Sequence, residues 1–221
     1  MSLKWKLILR IVAGLIVFIA LVFIPAGTLK FWQGWTFLAI LFVQAIAGLA
    51  YFYVRDPQFV ARRTQMKEKV PEQRTIMTFV YMVFFAAFVL PGFDHRFGWS
   101  HSPLWLTIAA QTGVFFSYML VVRAMSVNRF AGRTIQVESG QQVISTGPYA
   151  VVRHPMYSGM CVMVLFMPLA LGSYVTLPAF MPLIPLFVLR LLNEEKILRQ
   201  ELSGYTEYCL QTRFRLVPFV W

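Results

Sequence analysis

An all-α, polytopic membrane protein of about six transmembrane helices, ending in a C-terminal helical hairpin, is what this sequence predicts. Three observations carry that reading. Of 221 residues, 58% are hydrophobic and only 13% charged, where a soluble domain carries about 25% charged residues. Six apolar runs are long enough, or nearly so, to cross a hydrocarbon layer of about 30 Å. The basic residues behind the formal net charge of +11 fall in the short connections between those runs. That placement points to membrane orientation rather than to nucleic acid.

The runs cover residues 7–24, 35–54, 76–91, 104–125, 156–171 and 175–192. Lys4, Lys6 and Arg10 lead into the first, and no small-x-small cleavage site follows at residues 23–27, so it reads as a retained span. Gly172-Ser173 allows only a tight turn, which makes the last two runs a helical hairpin. With six spans and a cytoplasmic N-terminus, all but Lys30 and Arg96 of the 20 Lys and Arg residues lie on the cytoplasmic side. Both termini are therefore expected in the cytoplasm. Residues 1–125 form the first four helices, and 126–221 the loop, hairpin and tail of the same integrated domain.

The connections are less uniform. Residues 55–74 open with Asp56-Pro57, an N-cap before a helix-starting proline. Phe59, Val60 and Met66 give that stretch an apolar side suited to lying in the interface. A solvated loop is the plainer reading of it, and a site for anionic lipid headgroups the sharper one. His95 and His101 have no carboxylate or thiol at ligand spacing, so no metal site is expected. Cys161 and Cys209 read as packing residues.

Residues 125–154 are too long and polar for a simple connector and are expected to wall a cytoplasmic pocket. Within them, Arg133-Thr134-Ile135-Gln136-Val137 and Gln142-Val143-Ile144-Ser145 have the pattern of a short β-hairpin around Glu138-Ser139-Gly140. The last run carries Pro178, Pro182 and Pro185, each of which removes a helical hydrogen bond, so a kink and a lateral gap are expected there.

Chemistry concentrates at Thr146-Gly147-Pro148-Tyr149-Ala150-Val151-Val152-Arg153-His154-Pro155-Met156-Tyr157-Ser158-Gly159. His154 precedes a proline and is biased toward extended backbone. Pro155 suits the first helical position. A helix starting there aims its positive end at Arg153 and His154, a setting that favours an anion. About forty residues on, Arg190, Glu194 and Glu195 stand where a helix leaves the membrane. Arg190 and Glu194 are four apart, so they either pair with each other or serve a ligand.

Gly147-Pro148-Tyr149, Arg153-His154-Pro155-x-Tyr157-x-Gly159 and Glu194-Glu195 together resemble the signature of the isoprenylcysteine carboxyl methyltransferases and phospholipid methyltransferases. Gly204-Tyr205-x-x-Tyr208 with Arg213, Arg215 and Pro218 resembles their C-terminal end. The likeness covers residues 134–218, while the first three helices match only in general pattern. It implies a cytoplasmic S-adenosyl-L-methionine site in which His154, Pro155, Tyr157, Glu194 and Glu195 contact the cofactor and Gly147 and Tyr149 shape its loop. Arg153, Arg190 and Glu195 match positions associated with activity. The absence of Gly-x-Gly-x-x-Gly excludes a soluble Rossmann-type site.

By this resemblance the acceptor is a lipid-like or prenylated molecule, methylated on a carboxylate, which needs no base, or on an amine, which does. Within the group, the animal enzymes' extra N-terminal spans are missing, which points to the prokaryotic branch. A sterol-reductase-like NADPH enzyme is the competing reading, because those proteins share a similar C-terminal pattern.

Overall fold

A computed structural model describes residues 2–65, 68, 70–131, 134, 137–138 and 140–221, with nothing to be said of the Gln65 side chain. The apolar runs are helical because lipid offers backbone N–H and C=O groups no partner outside their own segment. In chain order the helices are α1 (Leu3–Ala26), α2 (Trp32–Arg55), α3 (Pro57–Gln65), α4 (Pro71–Phe97), α5 (Leu104–Val127), α6 (Pro155–Ala170), α7 (Leu177–Phe180), α8 (Leu183–Glu201) and α9 (Tyr205–Gln211). A 3-10 turn, Gly147–Ala150, precedes α6. Among the described residues there is no strand. Of the expected β-hairpin, Arg133, Ile135, Gln136 and Ser139 lie outside the described residues. What is described there is a turn, in which the Gln141 N–H donates to the Glu138 carbonyl at 3.0 Å.

Among the described residues, five stretches are long and apolar enough to span a membrane: α1, α2, α4, α5 and residues 177–201. The remaining apolar run is α6, with 16 residues, or about 24 Å of helix. The last span is broken between Phe180 and Leu183, where Pro182 has no N–H to donate. Pro185 falls in the first turn of α8, where a missing N–H leaves nothing unsatisfied. The expected kink is present, but no gap opens beside it. Phe180 and Leu183 are fully buried, and the Phe180 ring sits 5.4 Å from that of Phe88.

Short α3 follows its local chemistry. Asp56 Oδ1 accepts the Phe59 N–H at 2.9 Å, and Phe59 and Val60 bury themselves against Leu7 and Phe52. Met66 lies outside the described residues.

Between lipid-facing helices, packing rather than water exclusion supplies cohesion. Phe88 of α4 is the hub of the core, with ring centroids of Phe84, Phe18 and Phe37 at 4.5, 5.3 and 5.9 Å. Gln111 of α5 adds polar bonds, donating to Thr36 Oγ1 at 2.7 Å and to the Ala170 carbonyl at 3.1 Å. α5 and α6 approach closely through glycine: a Cβ on Gly159 would meet the Ser117 carbonyl at 2.9 Å, and one on Gly113 the Phe166 ring at 2.6 Å. The last glycine of the signature therefore serves helix contact. Gly159→Val is expected to destabilise the protein by about 1–3 kcal/mol through overpacking, measured as a lowered unfolding midpoint in detergent.

The charge bias yields a topology test. Cys161 and Cys209 are free and are first replaced by alanine. His101→Cys, at an exposed position, is expected to react with an impermeant thiol reagent added outside. Ser145→Cys, also exposed, is expected to react only after the membrane is opened. The reverse pattern overturns the orientation.

Candidate active site

The junction before α6 is built as a seam with the tail. Gly147 adopts φ 60, a left-handed conformation that glycine takes without Cβ strain, and so turns the chain into the 3-10 segment. The Tyr149 carbonyl accepts bonds from Tyr208 Oη at 2.7 Å and Thr212 Oγ1 at 3.4 Å. Beyond it, the Arg153 N–H donates to the Phe214 carbonyl at 2.9 Å and the His154 N–H to the Arg215 carbonyl at 3.0 Å. Ser158 Oγ donates to the Leu216 carbonyl at 2.6 Å. The two backbone segments run side by side, and Pro155 then opens α6 as its sequence predicts.

One carboxylate binds this seam to α8. Glu195 Oε1 stands 3.2 Å from His154 Nε2 and 3.0 Å from Arg153 Nε, while Oε2 accepts from Arg215 Nε at 3.0 Å. The Arg153 contact lacks hydrogen-bond alignment, so it contributes charge rather than a directed bond. Glu195, Arg153 and His154 are all buried. The anion expected at the start of α6 is thus supplied by the chain itself. Neighbouring Glu194 does something different: its Oε2 accepts a bond from Tyr157 Oη at 2.9 Å.

These residues border a cavity of about 560 Å³, within the range of about 300–1,000 Å³ usual for small-ligand sites. At one end Asn128, Thr134, Tyr149, His154, Glu194 and Tyr205 are polar lining. Burial pushes the Tyr149 phenol up to about 12, opposed by a hydrogen bond with Asn128. Burial likewise raises Tyr205 and Tyr208. The three phenols therefore stay protonated near neutral pH and offer O–H groups rather than bases. Thr134 is 8% exposed and its Oγ1 has no hydrogen-bond partner, although it faces the cavity. The other end is apolar. Met77, Val80, Tyr81, Phe84 and Phe85 make one stripe along α4, faced by Phe18, Met160 and Phe187. Tyr81 and Phe85 are also exposed on the outside of the bundle.

Of the residues singled out in the sequence, Tyr149, Arg153, His154, Tyr157, Arg190 and Glu194 line the cavity. Gly147, Pro155 and Glu195 do not. The first two set the backbone, and Glu195 braces its neighbours from behind. Arg190 Nη1 donates to Gln73 Oε1 at 3.1 Å, and Nη2 lies 3.5 Å from Glu68 Oε2. Sequence reasoning missed Gln73, Glu68 and the α4 stripe. The stripe's i, i+3, i+4, i+7 spacing is regular, but in a run that is apolar all round, spacing does not mark one face. Among the described residues no cluster of His, Cys, Asp and Glu is suited to a metal ion.

Residues 105–203 match the family described as PEMT, phospholipid methyltransferase, a span from α5 to just past α8. Over the whole chain the fold is similar to that of the eukaryotic intramembrane Ras methyltransferase ICMT, isoprenylcysteine carboxyl methyltransferase. The TM-score is 0.57 at 16% identity, covering 100% of this chain and 88% of the other. A curated relative, the Delta(14)-sterol reductase TM7SF2 of Mus musculus, is 33% identical over 91 residues. That match takes in 40% of this chain but only 22% of the reductase.

The two neighbouring glutamates are expected to separate under mutation. Glu195→Ala leaves buried Arg153 and the Arg215 contact uncompensated, a loss of about 3–5 kcal/mol visible in denaturant unfolding in detergent. Glu194→Gln keeps an acceptor for Tyr157 and is expected to unfold within about 1 kcal/mol of wild type.

Proposed function

We propose that this chain, which carries the phospholipid methyltransferase family pattern on the fold of a membrane carboxyl methyltransferase, is an S-adenosyl-L-methionine-dependent methyltransferase for a lipid-tailed acceptor. The observation that carries the reading is the cavity, which joins a polar end made by the signature residues to an apolar stripe along α4. A water-soluble donor and a membrane-borne acceptor need opposite surroundings, and one cavity with two such ends brings both within reach.

The residues present fit the cofactor. Glu194 suits its ammonium or ribose hydroxyls, and the unpartnered Thr134 Oγ1 offers a further hydrogen bond. Tyr149, Tyr157 and Tyr205 supply aromatic walls whose protonated hydroxyls orient polar groups. Bound there, the cofactor supplies an electrophilic methyl group on a sulfonium. The protein's part is to hold, align and exclude water, which is where much of the rate of such displacements originates. His154, fixed through its backbone by Arg215 and through its ring by Glu195, is a rigid wall of the polar end. Arg153 completes it. Tyr81 and Phe85, exposed beside the stripe, mark where an acyl or prenyl tail enters from lipid. The polar end is assigned to the cytoplasmic face, from which the cofactor arrives.

The identity shared with a Delta(14)-sterol reductase favours a second reading, an NADPH-dependent enzyme, and one experiment separates the two. S-adenosylhomocysteine at about 100 times its dissociation constant is expected to add about 2.7 kcal/mol of stability, seen as a raised unfolding midpoint in detergent. NADPH is expected to leave the midpoint unchanged. Stabilisation by NADPH alone rejects the methyltransferase.

Point variants then test the pocket. Glu194→Gln and His154→Ala are each expected to weaken S-adenosylhomocysteine binding by about 1–3 kcal/mol in calorimetry. Undiminished affinity in both would remove the polar end from the cofactor site.

A further inference from the structure

Residues 216–221 close on themselves beside the first turn of α6. The Leu216 and Val217 N–H groups donate to the Trp221 carbonyl at 2.9 and 3.0 Å, and the Trp221 N–H returns a bond to the Val217 carbonyl at 3.1 Å. The Val220 N–H reaches that same carbonyl at 3.2 Å, so Val217-Pro218-Phe219-Val220 is a hydrogen-bonded β-turn. Proline at the second position and a positive φ at the third are the pattern of a type II turn, whose third residue is ordinarily glycine. Here that residue is Phe219, at φ 64.

A bulky side chain in this conformation is strained, and it persists only where something else holds it. The protein itself covers little of the ring. Phe214 stands 5.4 Å away, centroid to centroid, yet Phe219 remains 89% exposed and Val220 77%. Nor is the turn a loose end. The Arg215 guanidinium lies 5.0 Å over the Trp221 ring, and Arg215 Nε donates to Glu195 Oε2 at 3.0 Å. The apolar tip is thus held outward by the brace that joins the tail to α8.

What covers the tip follows from its level in the bundle. Leu216 is buried in the same apolar core as Tyr157 and Leu191 of the helices, and its carbonyl accepts from Ser158 in the first turn of α6. The turn therefore sits at the end of α6. The 16 residues of that helix supply about 24 Å, against a hydrocarbon layer of about 30 Å. A span this short leaves apolar lipid unmatched or draws the bilayer thin. Val217, Phe219 and Val220, all exposed, add apolar surface where the helix runs out. Exposed Arg213 and half-buried Arg215 flank them, and cations at that level favour anionic headgroups.

We propose that residues 217–220 are a lipid-docking turn: Phe219 and Val220 seat in the membrane interface at the polar end of the cavity, with Arg213 among anionic headgroups. Lipid covers the ring that the protein leaves open, which offsets the strain of Phe219. It also extends the apolar face of α6 past its first residue.

The test uses full-length protein, with Cys161 and Cys209 replaced by alanine, in vesicles of equal parts phosphatidylcholine and phosphatidylglycerol. Val220→Cys carries a nitrobenzoxadiazole label. Ser145→Cys, exposed in the polar loop, carries the same label as reference. The label at position 220 is expected to emit at shorter wavelength, to be quenched by lipids spin-labelled near the headgroup, and to resist aqueous iodide. At position 145 the reverse is expected. Phe219→Gly adopts φ 64 without strain, so the unfolding midpoint in detergent is expected to hold or rise while lipid quenching at position 220 falls. Phe219→Asp, which sets a charge against hydrocarbon, is expected to lower that quenching further.

Iodide quenching at position 220 without lipid quenching, in protein whose unfolding midpoint matches its parent, overturns the inference. So does lipid quenching that both Phe219 variants leave unchanged. Protection from both quenchers overturns it as well, and a disulfide-linked dimer through unlabelled Val220→Cys would then identify a second copy of the chain as the occupant.

Discussion

The arrangement depends on a single carboxylate. Glu195 of α8 faces Arg153, His154 and Arg215 at 3.0–3.2 Å, and so ties together three separate parts of the chain: α8, the junction before α6, and the tail. Buried ions are expensive to desolvate, so the cluster holds only while all members are in place. Its effect is specificity of geometry. With Glu195 in position, the tail lies along residues 153–154, α6 starts where Pro155 directs, and His154 is held at the edge of the cavity. A carboxylate expected from the sequence among the cofactor contacts is, in the structure, bonded to its own chain, and it fixes His154 and Arg153 at the cavity wall.

The seam at the polar end is therefore held by hydrogen bonds and charge, with a small apolar cluster of Leu202, Tyr205, Tyr208 and Cys209 beside it, while the membrane portion is held by shape. Phe88 and its surrounding rings fill the centre of the bundle. Gly113 and Gly159 let α5 and α6 touch more closely than any side chain would allow. In lipid there is little hydrophobic gain from bringing apolar helices together, and close packing must do more of the holding. That leaves the unfilled stripe along α4 conspicuous, because unfilled volume in such a bundle loses dispersion contacts on every side.

Pro178, Pro182 and Pro185 show how a correct local expectation leads to a wrong spatial one. The helix does break at Pro182, as loss of a backbone donor requires. Yet the break is closed over by Phe180 and Leu183, both fully buried, while Tyr81 and Phe85, which line the cavity and are exposed, lie on α4 instead. A proline states where a helix bends. Which neighbours fill the bend depends on the rest of the bundle.

The sequence by itself determined the helical class, the positions of the apolar runs though not the polar ends of α4 and α8, the helix start at Pro155, the cap at Asp56 and the cluster from Tyr149 to Tyr157 with Glu194 and Glu195. Those features are local: apolar length, backbone preferences and short-range spacing decide them. Tertiary structure alone decided that Glu194 faces the cavity while Glu195 turns to the seam, although the two are adjacent and chemically identical. About 100° of helical rotation separates them, and only the packing of α8 against α6 says which angle points inward. It also decided that Gln73 and Glu68 meet Arg190 across more than a hundred residues. No periodicity in a uniformly apolar sequence marks such a contact, because long-range pairs are selected by the shape of the assembled bundle.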